Sequence, residues 1–158
     1  MSDKGIGSAV RRSEDQRFLT GKGHYVDDLN RPGQAHAVFV RSPHAHAKIK
    51  GVNANAAKKA PGVVAVLTGE DVAADKLGGL ICGWVVKDKH GEPHKAPPHP
   101  VLAQGKVRYV GDHVAVVIAE TPAQAREAAE TVANEYEQLA ANVAPATAMK
   151  RAQVTDEV

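Results

Sequence analysis

Apolar and polar positions alternate with two different periods along the chain, most clearly from Lys106 to Leu139, KVRYVGDHVAVVIAETPAQAREAAETVANEYEQL. Val107 to Val110 is β-branched and aromatic, Gly111-Asp112 is a turn pair, and Val114 to Ala119 is a short apolar run bounded by charge. The pattern predicts two strands about a tight turn, the second with the length of a strand buried on both faces. Thr121 can cap the next helix, with Pro122 at its first position and Gln124 three residues after the cap. Ala125, Ala128, Ala129 and Val132 recur at helical spacing, while Arg126, Glu127 and Glu130 lie off that stripe. A stripe made mostly of alanine lets the helix lie close to a sheet but brings little buried area. Val114, Val116 and Ile118 are left to supply much of the rest. A last strand ends at Leu139.

A second unit of the same order lies upstream. Gln34 to Arg41 reads as a strand in which Ala35, Ala37, Phe39 and Arg41 alternate with Gln34, His36, Val38 and Val40. Ser42-Pro43 interrupts it, since proline lacks a ladder donor, and His46 to Val52 resumes an extended pattern, as in a hairpin with an irregular connection. Asn53 or Asn55 can cap a short helix through Lys59, Pro61-Gly62 stops it, and Val63 to Leu67 is another strand. Residues 34–67 and 106–139 thus share the order strand, strand, helix, strand with little shared sequence. Order and lengths suit an α+β fold, a mixed sheet with short helices on one face.

The remaining segments are less regular. Residues 1–33 carry many charges and five glycines, and read as turns around one extended piece, His24 to Val26: an N-terminal arm. Thr68-Gly69-Glu70-Asp71 starts a capped helix through Ala74, and Trp84 to Lys87 reads as one more short strand. Residues 88–105 form a long loop with four prolines and three histidines, a length that in compact domains goes with binding or with covering a partner. Residues 141–158 read as a linker or tail. The domain reading is therefore arm 1–33, α+β domain 34–140, tail 141–158.

Composition narrows the function more than the fold. Aromatics make up only 4% of the chain, so the core must be built from Val, Ala and Leu. The net charge of +2 arises from 20 basic and 18 acidic residues interspersed along the chain, which offers no stripe for a nucleic acid. No apolar run approaches the roughly 18 residues of a membrane span. Arg11-Arg12 lacks the apolar segment that a twin-arginine signal needs. Cys82 is the single cysteine, which excludes an internal disulfide or a cysteine-ligated cluster made by this chain alone and fits a reduced, cytoplasmic setting.

Candidate chemistry is sparse. His44 and His46 are two apart and would share a strand face, but further ligands are missing nearby, so they read as a hydrogen-bonded motif fixing the crossing after Pro43. His90, His94 and His99, with Asp88 and Glu92, form the densest group of possible metal ligands, on a loop whose ordering costs about 1–2 kcal/mol per residue. Glu14-Asp15, Asp27-Asp28 and Glu135/Glu137 are paired carboxylates by sequence only, without the unlike environments that acid–base work needs. Gly5-x-Gly7 and Gly21-x-Gly23 lack the strand and helix of a dinucleotide fingerprint. Cys82, between Ile81 and Gly83-Trp84, reads as a structural cysteine in apolar surroundings.

Several ordered segments carry a resemblance. They are Arg12-x-Glu14-Asp15-x-Arg17-Phe18-Leu19-Thr20-Gly21-Lys22-Gly23, Tyr25-Val26-Asp27-Asp28-Leu29, Val40-Arg41-Ser42-Pro43-His44-Ala45-His46-Ala47-Lys48-Ile49 and Ala60-Pro61-Gly62-Val63. Pro100-Val101-Leu102-Ala103, Val107-Arg108-Tyr109-Val110-Gly111-Asp112 and Ala125-x-x-Ala128-Ala129-Glu130-x-Val132 follow in order. From about Ile6 to Leu139 the chain resembles the N-terminal α/β hammerhead domain of the large subunits of molybdenum hydroxylases: xanthine dehydrogenase, aldehyde oxidase and carbon monoxide dehydrogenase. It departs where the family usually continues with a Leu-Pro-Ala-Val type sequence, having Leu139-Ala140-Ala141-Asn142 instead.

The resemblance implies an oxidoreductase that hydroxylates an electron-poor carbon or an aldehyde, with water as the oxygen source. Its molybdopterin and catalytic glutamate belong to domains outside this chain, and its electrons leave through iron–sulfur clusters, usually to FAD. This chain is then expected to be non-catalytic, with no cofactor or metal site of its own: scaffold and docking surface for the molybdopterin-binding domain or subunit and the iron–sulfur subunit. It would be either a severed piece or the small subunit of a split enzyme. The arm and the 88–105 loop are the expected contacts, with Arg12, Arg17, Arg41, His44 and His46 as partner-interface candidates. The alternative is a free-standing protein- or metal-binding module using His90, His94 and His99.

Overall fold

The computed structural model describes residues 5–7, 9–94 and 96–148. The chain divides after Gln34 into two compact units. In the first, helix α1 (Asp15–Leu19) carries two ion pairs one turn apart, Arg12 Nε to Asp15 Oδ1 at 3.0 Å and Arg17 Nη2 to Glu14 Oε1 at 2.9 Å. Of the extended piece expected at His24 to Val26, Tyr25 has extended backbone (φ −106°, ψ 174°), but Val26 begins a 3-10 turn, Val26–Asp28. The Asp28 carboxylate accepts the Tyr25 N–H at 2.8 Å and closes the chain on itself there.

The second unit contains β1 (His36–Arg41), β2 (Ala47–Asn53), α2 (Asn55–Lys58), β3 (Val63–Thr68), α3 (Gly69–Ala74), β4 (Lys106–Val107), β5 (His113–Ala119), α4 (Pro122–Glu130), β6 (Ala133–Gln138) and the turn of helix α5 (Pro145–Ala148). The α+β class and both strand-strand-helix-strand units are present. The strands, however, form two antiparallel three-stranded sheets, ordered β1-β5-β3 and β4-β2-β6, in place of one mixed layer. Successive strands alternate between the sheets. All four strand pairings, β1·β5, β3·β5, β2·β4 and β2·β6, join one half of the chain to the other. Each half supplies the central strand of the sheet whose edges the other half provides.

This alternation overturns the two expected hairpins. At Ser42-Pro43 the chain leaves one sheet for the other, and the Ser42 N–H and C=O are taken by the Asp112 carbonyl and the Gly111 N–H, each at 2.8 Å. The second expected hairpin fails for a similar reason. Only Lys106–Val107 is strand, because the Asp112 carboxylate accepts the Arg108 N–H at 3.0 Å and Gly111 takes φ 93°, a region open chiefly to glycine. The strand expected at Trp84 to Lys87 is reduced to an isolated bridge between Lys87 and Pro93. Of the expected tail, residues 149–158 lie outside the described residues.

The helix caps follow their chemistry. Thr121 Oγ1 accepts the Gln124 N–H at 3.2 Å and gives its own proton to Gln124 Oε1 at 2.9 Å. Thr68 and Asp71 close a capping box on α3, and Asn53 Oδ1 accepts the Asn55 N–H at 3.1 Å. Helices α4 and α2 cover one face of the first sheet. There Ala57, Ala128, Val66, Val117 and Val132 form one core, while Ala47, Ala103, Val107 and Val114 form a second under the other sheet; Val52 touches both. The expected contribution of Val116 and Ile118 is therefore smaller than the pattern suggested. Ala115, Val117 and Ala119 face the alanine-lined helices and are fully buried, whereas Val116 and Ile118 point to the opposite face and are half-buried.

Candidate functional site

The residues with chemistry gather where the Ser42–His46 crossing meets the Tyr109–Asp112 turn. The Ser42 hydroxyl donates to the His44 carbonyl and accepts the His44 N–H, both at 3.0 Å, which fixes the crossing. Arg41 Nη1 donates to the Gly111 carbonyl at 3.2 Å, so its guanidinium is tied to the same turn. The His44 ring meets Tyr136 edge-on at 5.0 Å. His46 is buried, donates from Nδ1 to the Ala140 carbonyl at 2.8 Å, and through its own carbonyl accepts the Leu139 N–H at 2.9 Å. It clamps the segment leaving the second sheet and is not open to a partner. Arg41, His44 and His46 therefore share one region, and Arg12 and Arg17 belong to the first unit, each engaged in a local ion pair.

Beside this turn lies a cleft of about 710 Å³, walled by Leu80, Ile81, the Pro97–Pro100 run and Tyr109, with Cys82, His94, Arg108 and Asp112 among its polar groups. Partial burial and then the negative charge of buried Asp112 push the Tyr109 phenol above its ordinary value. Cys82 is exposed, which corrects the expected buried, structural cysteine. Its Sγ donates to the Trp84 carbonyl at 3.3 Å and stands 3.4 Å from His94 Nε2. Sequence spacing gave no sign of this pairing across twelve positions.

The three loop histidines have separate local contacts. His94 receives the Val86 N–H on Nδ1 at 3.0 Å, the His90 backbone N–H is turned onto Asp88 at 2.7 Å, and the His99 ring meets Tyr109 edge-on at 6.3 Å. Among the described residues no three His, Cys, Asp or Glu side chains stand close enough together to hold a metal ion. An iron–sulfur cluster takes four thiolates, and the chain has one. The described residues thus do not fit a cluster or a protein-ligated metal. Among the described residues no helix is long and apolar enough to cross a membrane. What the site offers is a hydrogen-bonded turn, a clamped exit and an apolar-walled cleft.

Residues 20–140 match the family profile of the aldehyde oxidase and xanthine dehydrogenase a/b hammerhead domain. The chain is 43% identical over 134 residues to the nicotine 6-hydroxylase large subunit of Paenarthrobacter nicotinovorans, covering 85% of this chain and 16% of that one. It is 40% identical over 148 residues to the carbon monoxide dehydrogenase large chain of Afipia carboxidovorans, covering 93% of this chain and 17% of that one. The crystal structure of quinoline 2-oxidoreductase from Pseudomonas putida 86 superimposes with a TM-score of 0.82 at 38% identity, over 97% of this chain and 19% of that one. The chain spans less than a fifth of the length of each of these proteins.

Proposed function

The chain belongs to the aldehyde oxidase and xanthine dehydrogenase family through its a/b hammerhead domain, and from that premise we propose that it is the non-catalytic hammerhead part of a molybdenum hydroxylase large subunit. It works as scaffold and docking surface for a molybdopterin-binding polypeptide and an iron–sulfur partner, in an oxidoreductase that hydroxylates an electron-poor carbon or an aldehyde with oxygen from water. The observation that carries this reading is the match of residues 20–140 to the a/b hammerhead domain together with two interlocked three-stranded sheets. Cofactors supply such chemistry and protein supplies position. The residues here do the second: Ser42, Asp112 and Gly111 lock the two halves, and His46 fixes the direction in which the chain leaves at Ala140.

Recovery of the tagged chain from its own host, followed by intact masses and molybdenum content, tests the proposal. A larger molybdenum-bearing polypeptide in fixed ratio is expected. Recovery of the chain alone and free of molybdenum overturns the reading of a subunit docked on a molybdenum-bearing polypeptide.

A further inference from the structure

We infer that the outer face of the β1-β5-β3 sheet is the surface on which the molybdenum-bearing polypeptide seats; the inference rests on the function proposed above. The register places Phe39, Val116 and Leu67 in one row across the three strands and Ala37, Ile118 and Ala65 in the next. Helices α2 and α4 occupy the opposite face, where Val117 and Val66 are 0% and 4% exposed. On the outer face Phe39 is 43% and Leu67 40% exposed, although both stand in regular strands beside a buried central one. Neither row contains a polar side chain; the first charged group is Arg41 at one end, paired in register with His113, whose ring stacks on Phe39 at 4.5 Å. A strand face exposed to water ordinarily alternates to polar residues, so an uncharged two-row patch marks a contact surface.

Its size selects the occupant. Three strands about 4.8 Å apart carrying two rows present on the order of 300 Å². A stable dimer of two copies needs roughly 800 Å² from each partner, and the patch falls well short. A polypeptide several times larger can join the patch to further contacts. The relatives this chain matches carry more than four-fifths of their length outside the matched stretch. The occupant is therefore that larger polypeptide, which presents an apolar, uncharged surface to these rows.

The test uses the tagged chain in its own host and reads molybdenum recovered per chain. The double variant Phe39→Glu/Leu67→Glu is expected to lose at least tenfold, while Glu127→Lys on the exposed side of α4, the opposite face of the sheet, stays within twofold of wild type. If the double variant captures as much as wild type, this face is wrong and the proposed function stands. If wild type forms a dimer that the double variant dissolves, a second copy is the occupant and the inference falls. Wild type capturing no molybdenum-bearing polypeptide overturns both readings. Should the double variant lose its strand circular dichroism, Val116→Thr/Leu67→Thr decides on the same readout, with at least threefold loss expected and full capture overturning the inference.

Discussion

Val114→Ala and Val117→Ala test whether the two sheets form one cooperative unit. Both valines are fully buried on β5, but Val117 packs with Ala57, Val66 and Ala128, and Val114 with Ala47, Ala103 and Val107. Each substitution removes two carbon groups from a closed environment, worth about 1.6 kcal/mol at ~0.8 kcal/mol per group. The space left behind adds on the order of 1 kcal/mol at ~24 cal/mol per Å³. Each variant should therefore lose about 2.5 kcal/mol. With a urea slope near ~2 kcal/mol/M, the midpoint falls by about 1.2 M in either case. Because every strand pairing joins the two halves and Val52 touches both cores, both variants should keep a single transition in far-ultraviolet circular dichroism, and the double variant should lose close to the sum. A separate low-urea transition in Val114→Ala, or a shift less than a quarter of that in Val117→Ala, would refute the argument that the sheets stand or fall together.

Other consequences follow from single contacts. The Thr68 hydroxyl and N–H hold the Asp71 carboxylate below its ordinary value. A lowered folded-state value means that the stabilisation is present above the unfolded value near 4 and fades as pH falls through the folded value. Asp71→Asn should cost about 0.5–2 kcal/mol at pH 7 and flatten that acid limb, checked by urea midpoints from pH 7 to 2. A Cβ at Gly69 would collide with the Ala103 carbonyl, whereas one at Gly51 meets open space. Gly69→Ala is accordingly expected to cost about 1–3 kcal/mol, and Gly51→Ala to stay within about 0.5 kcal/mol, on the same denaturation assay. The exposed Cys82 thiol should react stoichiometrically with a chromogenic disulfide reagent in the folded chain; a thiol that reacts only after urea is added would contradict its placement.

Periodicity made the elements readable but not their pairing. The alanine stripe of α4, the Thr121 and Thr68 caps and all the longer strands could be placed because each depends on residues within a few positions. The two hairpins were misplaced because adjacency in sequence favours pairing of neighbours, and the competing bonds, Ser42 to Gly111 and Asp112 and Arg108 N–H to the Asp112 carboxylate, depend on residues from the other half or on a single buried side chain. For the same reason the pattern could not say which face of β5 the helices would cover. At the site, the rigid turn was visible as Gly111-Asp112, but the burial of His46, the exposure of Cys82 and the approach of His94 to its thiol are all tertiary facts.

The alternation of strands also explains where the chemistry-bearing residues lie. Since β2 is the centre of a sheet edged by β4 and β6, and β5 the centre of one edged by β1 and β3, the inner faces are committed to small and β-branched side chains that let the halves interlock. A charged group placed among them would have to find a partner in a space lined mostly by alanine and valine. Among its described residues the segment between the halves, 75–105, supplies no strand to either sheet, so its sequence is free of that constraint. That freedom is where the prolines, histidines and single thiol accumulate, and with them the cleft beside Tyr109. The interlocked sheets fix position; the connecting loop and the outer face of the first sheet stay exposed.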